Sequence, residues 1–110
     1  MAILDDRKKG SEEKFRLEQE FLFKLKARRN RLFGKWVADA LGLTGSEADE
    51  YAKSVMFADL QAPGDDDLLS KVERDLDAVS IKNTRTQLRE TLERFAEDAR
   101  VQNYHQMTKK

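Results

Sequence analysis

From Leu22 onward the apolar residues fall at Leu22, Leu25, Leu32, Phe33, Trp36, Val37, Ala40 and Leu41, the three-and-four spacing of a helix that buries one stripe. Gly42 follows, and a residue without a Cβ at that place is an ordinary helix stop. Upstream the same register continues through Phe15 and Leu17 towards Ser11, with fewer apolar residues and charges of both signs. That part of the helix is expected to be poorly anchored. A second helix is predicted from Ala48, Tyr51, Ala52, Val55, Met56 and Leu60, with Thr44 and Glu47 spaced for a reciprocal capping box and Pro63 and Gly64 as its stop. Asp65, Asp66 and Asp67 take the N-cap and first turn of a short third helix carrying Leu68, Leu69, Val72 and Leu76. A fourth, from about Lys82 to Tyr104, aligns Leu88, Leu92, Phe95, Ala96 and Ala99.

The chain shows no strand pattern, internal repeat or low-complexity linker. Connections this short make neighbouring helices antiparallel, so the expected fold is all-α, a four-helix bundle with a long first helix and a flexible N-terminal segment. Residues 1–20 form that segment, 21–105 the bundle and 106–110 a disordered tail. Length supports the division. A first helix from Ser11 to Leu41 would reach roughly 45 Å and the second only roughly 24 Å, so the short helices leave the N-terminal turns overhanging and available to a partner.

One domain is expected from 110 residues, with 38% charged and 39% apolar positions. Cysteine is absent, which removes disulfides, thiolate nucleophiles and sulfur-based zinc sites. The opening MAILDDRKKG lacks the apolar run of a signal peptide, and no window approaches a membrane span; a cytoplasmic protein that is monomeric when free is the expectation. The net charge of zero is unevenly spread. Residues 21–38 carry six basic and no acidic groups, whereas 39–78 carry three basic and eleven acidic ones. These two segments should attract each other within the molecule.

The basic cluster Lys24, Lys26, Arg28, Arg29, Arg31 and Lys35 is of the kind that binds phosphates. Its members spread around the polar arc of a helix without a stacking platform for bases, so a solvated face paired with the acidic half is the preferred reading and no nucleic-acid partner is expected. Lys24, Arg28, Arg29, Arg31, Lys35 and Trp36 remain the alternative face for docking a protein or nucleotide. Asp65, Asp66 and Asp67 have no further ligand at calcium-loop spacing, so capping is preferred and no metal is expected. His105, the sole histidine, has no nucleophile or carboxylate motif around it. Trp36 and Tyr51 sit on apolar stripes and are read as core, and Gly34, mid-helix, as a close helix contact. No phosphate-cradling glycine loop, metal-binding His pair or nucleophile elbow is present. The chain is not expected to be an enzyme.

The motifs LDDRKKGSEEKF, ARRNRLFGKWVADALG, YAKSVMFADL and APGDDDLLSKVERDLD, in that order, closely resemble the zeta-subunit family of bacterial ATP synthase inhibitors. The resemblance runs from about Leu4 to Asp77, and the last helix matches in character. It implies a four-helix bundle whose N-terminal segment enters a catalytic interface of the synthase head, formed by alpha, beta and gamma subunits, and blocks ATP hydrolysis. Carried onto this chain, Leu4, Asp5, Asp6, Arg7, Lys14, Phe15, Arg16 and Leu17 become the partner-binding residues, with Phe15 and Leu17 as apolar anchors and Lys14 and Arg16 as polar contacts. The protein would reach the inner face of the membrane only through the synthase. No cofactor is implied, and ATP or ADP is the one regulatory ligand considered. LEQEFLFKLK is richer in aromatic residues than the alanine-rich first helix usual in the family, so individual contacts are expected to differ.

Overall fold

The computed structural model describes the backbone of residues 2–60 and 64–108 and the side chains of residues 12–60 and 64–106. Four helices follow in chain order: α1 (Ala2–Ala40), α2 (Gly45–Asp59), α3 (Asp66–Ala78) and α4 (Arg85–Thr108). No strand occurs among the described residues. At 39 residues, α1 is about 58 Å long and sets the long dimension of the molecule, 65 Å against 34 and 24 Å. It begins earlier than Ser11 and ends one residue before Leu41.

Two helix ends share one geometry. After α1, Gly42 adopts φ +80°, its N–H donates to Asp39 O at 3.0 Å, and Leu43 N–H donates to Ala38 O at 2.9 Å. After α3, Ser80 takes the same place at φ +63°, with Ser80 N–H on Asp77 O at 3.0 Å and Ile81 N–H on Leu76 O at 2.9 Å. Both are six-to-one, five-to-two terminations that satisfy the last carbonyls through a left-handed residue. In the second, Ile81 folds back onto the core.

The helix starts differ from expectation. Thr44 precedes α2 in extended conformation, but its side chain makes no capping bond. Gly45 enters the helix at φ +59°, outside helical space, so the first turn does not hold Thr44 and Glu47 in capping-box geometry. Asp65 likewise makes no side-chain cap on α3; its carboxylate is engaged by Arg29. A reciprocal box does form at α4, where Gln87 N–H donates to Thr84 Oγ1 at 3.1 Å and Thr84 N–H donates to Gln87 Oε1 at 3.0 Å.

The core gathers Phe33 and Val37 of α1, Val55 of α2, Leu68, Leu69, Val72 and Leu76 of α3, and Leu88 and Leu92 of α4. Trp36, Tyr51 and Phe95 pack against it, with the Phe33 and Trp36 rings stacked at 5.9 Å and Phe95 edge-on to both. The Tyr51 hydroxyl donates to Asp75 Oδ2 at 2.7 Å. Its pKa rises, first through burial and then through the neighbouring carboxylate. Gly34 has the role its position suggested: a Cβ there would lie 2.8 Å from Ala52 Cα, so its absence lets α1 and α2 touch backbone to backbone.

Lys35 pairs with Asp49, Gly34 meets Ala52 and Asn30 meets Asp59, which makes α2 antiparallel to α1. The 15 residues of α2 span only about 22 Å and are used up opposite Asn30 and Lys26. This corrects one expectation. Leu22 was assigned to the buried stripe, yet it is 56% exposed and Leu25 is only half-buried, because α2 ends before reaching them. Leu60, also expected on a buried stripe, is exposed at the end of α2.

Candidate functional site

The feature that sets this bundle apart is the uncovered part of α1. Every described side chain from Glu12 to Lys24 is exposed. Within it Phe15 is 64%, Leu17 52% and Phe21 44% exposed, and Leu22 and Phe23 are also open. Exposed apolar side chains are ordinary singly, but several close together on one helix mark an interaction surface. At about 100° per residue, Leu17, Phe21, Leu25, Leu22 and Phe15 share an arc of roughly 160°, and Phe23 stands apart. Phe15 and Leu22 continue the line of Phe33, whereas Phe21 and Leu17 lie roughly 120° or more around the helix from it. A longer bundle would therefore still leave half of this arc bare.

The opposite side of the same stretch is closed by its own charges. Arg16 pairs with Glu13 and with Glu20, the latter at 3.1 Å. These are exposed i,i+3 and i,i+4 pairs, worth at most about 1 kcal/mol, so a partner acid can draw Arg16 away at little cost. Lys14 stands beside Leu17 and Phe21 in a shallow groove completed by Glu13 and Glu18. Lys14, Phe15, Arg16 and Leu17 thus lie together on one exposed helical stretch. Leu4, Asp5, Asp6 and Arg7 lie outside the residues whose side chains are described.

The basic cluster disperses over several contacts, with Lys35 shared between two of them. Lys26 reaches Asp59 Oδ2 at 3.2 Å, Arg29 contacts Asp65 at 2.8 and 3.3 Å, and Lys35 reaches Asp49 at 3.4 Å. This is the attraction between the basic and acidic segments that their charges implied. Burial pushes the Asp65 carboxyl up, but the hydrogen bonds and charge of Arg29, with Asp59 and Lys26 behind it, hold it below its ordinary value. Arg28, Arg31 and Lys35 line a second feature, a groove of about 450 Å³ shared with Leu32 and with Gln102, His105 and Gln106 of α4. Arg28 Nη2 donates to Gln106 Oε1 at 2.7 Å there. Trp36 is turned into the aromatic cluster, and Lys24 sits beside Gln19, Glu20 and Phe23. The six residues proposed as one face are not brought together.

The acidic triplet also disperses. Asp65 faces Arg29, and Asp66 lies 3.6 Å from both Arg85 and Arg89. Among the described residues no group of three or more metal-ligating side chains is found, and no helix is long and apolar enough to cross a membrane.

Sequence reasoning missed the buried contact of Asn30 Nδ2 with Asp59 Oδ2, at 2.7 Å. A signal was present. Asn30 precedes Phe33 and Val37 at helical spacing, and Asp59 follows Ala52 and Val55 likewise, so each places a polar residue on a buried stripe.

A family model described as ATPase inhibitor subunit zeta matches residues 1–102. A search of curated proteins finds no match. A solution NMR structure is similar at 39% identity and a TM-score of 0.67, covering 76% of this chain and 95% of that one. From a match over nearly its whole length, the chain belongs to the ATPase inhibitor subunit zeta family.

Proposed function

We propose that the protein is a non-enzymatic inhibitor of ATP hydrolysis by a bacterial rotary ATP synthase. It acts by inserting residues 1 to about 20, with Phe21 at their edge, into a catalytic interface of the head, against alpha, beta and gamma subunits, while the rest of the chain to residue 105 remains outside as a bundle. Family membership supports the inhibitory role. The observation that carries the mechanism is the exposed arc of Phe15, Leu17 and Phe21 on an uncovered helix.

Such an arc suits a cleft between subunits. Burying the open half of one such Phe or Leu side chain contributes about 1 kcal/mol, so three or four of them offset roughly 3–4 kcal/mol of the cost of ordering the segment and fixing the two bodies together, the rest falling to its polar contacts. The bundle, too wide to follow, then holds the inserted helix in place. The protein would work in the cytoplasm and meet the membrane only through the synthase. The test is whether purified ATPase head co-elutes with the protein and slows in hydrolysis while the intact synthase keeps its synthesis rate. Unchanged hydrolysis with saturating protein would refute the proposal.

One observation favours a second reading, the groove in which Arg28, Arg31 and Lys35 stand over Gln102 and Gln106. Three cations beside amide groups suit the phosphates of ATP or ADP. Chemical-shift changes confined to these residues on adding nucleotide would support it. Silence there would remove it.

A further inference from the structure

The point where α1 passes from uncovered to covered is made of polar groups. Above it the side chains of α1 from Glu12 to Lys24 are exposed and Leu25 is half-buried, and below it Phe33 and Val37 are fully buried. Between them Asn30 Nδ2 donates to Asp59 Oδ2 at 2.7 Å, Lys26 Nζ reaches the same oxygen at 3.2 Å, and Arg29 Nη2 stands 3.7 Å from it. Arg29 also donates through Nε to Asn30 Oδ1 at 3.0 Å and through both terminal nitrogens to Asp65. Two cations and an amide of α1 thereby grip one carboxylate at the end of α2 and one at the entry to α3.

The Asp59 side chain is 1% exposed, and its Oδ1 has no hydrogen-bond donor. A valine or leucine would bury that position without such a cost. What the polar arrangement adds is geometry, since Asn30 and Arg29 are satisfied in one register of α1 against the α2–α3 corner, whereas an apolar contact tolerates sliding. Buried polar groups are best known for fixing register in this way.

We propose that Lys26, Arg29, Asn30, Asp59 and Asp65 form a latch that stops fraying of α1 and so sets the length of its free arm. Helix opening that starts at the N-terminus runs to the latch and halts there. The arm consequently extends past residue 20 to Leu25, and Phe21, Leu22 and Phe23 belong to it. This inference concerns the protein by itself and stands whether or not its target is an ATP synthase.

Residue-resolved amide hydrogen exchange on the full chain tests it. In the unmodified protein, protection should rise steeply between Leu25 and Asn30. In Asp59→Ala, the amides of residues 26–30 should exchange on the order of tenfold faster relative to those of 33–38, moving the step to about Phe33. Val55→Ala, one turn earlier in the apolar core, is the control and should speed both groups alike. If Asp59→Ala also speeds both alike, or changes neither, the latch is refuted. Should Asp59→Ala fail to fold, Lys26→Met, which alters a half-exposed member, must show the same relative change at residues 26–30 in smaller degree. Equal rates across residues 26–38 in that variant would refute the latch as well.

Discussion

Replacing Leu17 and Phe21 together by Gln separates binding from folding. Both side chains are about half exposed, and neither belongs to the core. Burying the open half of each against a partner contributes about 1 kcal/mol per residue, so the pair is worth roughly 2 kcal/mol, or about 30-fold in affinity. Gln is nearly as good a helix former as Leu, and exposed changes of this kind move stability by about 0.5 kcal/mol or less. The variant should need roughly 30-fold more protein for half-inhibition of the ATPase head, while its urea midpoint and circular dichroism stay unchanged. Full inhibitory strength in the variant would show that this arc does not enter the partner. A loss of inhibition accompanied by unfolding would place the pair in the fold instead.

Three further outcomes follow from local geometry. Ser80→Gly should raise stability by about 1 kcal/mol, roughly 4 °C in melting temperature, because Ser80 holds φ +63° where only glycine is unstrained; a fall in melting temperature would contradict this. Thr84→Ala removes the side-chain half of the α4 box and should cost about 1 kcal/mol in urea unfolding, typical of a lost N-cap. Asp65, whose folded pKa is lowered, contributes stability that is full above its unfolded pKa of about 3.9 and is lost as pH falls through the folded value. Urea titrations from pH 6 down to pH 2 should therefore show a steeper acid loss in the natural protein than in Asp65→Asn, and parallel curves would refute the role given to Arg29.

Most of the fold was legible because apolar spacing alone marks α1 to α4, and Gly42, Gly64 and the acidic triplet mark their ends. Gly34 was legible for the same reason, a helix-weakening residue on a helix that must form. What escaped depends on distances between elements. Nothing in the spacing of Leu22 reveals that α2 stops short of it. The Thr44 and Glu47 pair has a capping-box spacing, but Gly45 at positive φ spoils it, while Thr84 and Gln87 have the same spacing and a regular first turn. The basic cluster looked continuous in sequence; on the helix, Arg29 turns to α3 and Arg28 to α4, which separates them by more than sequence distance suggests. In the uncovered stretch of α1 the exposed side chains run on to Lys24, past the boundary at residue 20 expected from the sequence.

The central claim is that the N-terminal arm inhibits and the bundle only carries it. The most direct measurement compares ATP hydrolysis by the purified head in the presence of the full chain and of a chain lacking residues 1–19, with folding of both followed by circular dichroism. The account predicts that the truncated protein keeps its cooperative thermal unfolding and loses inhibition at every concentration tried. Equal inhibition by a folded, truncated bundle would contradict it.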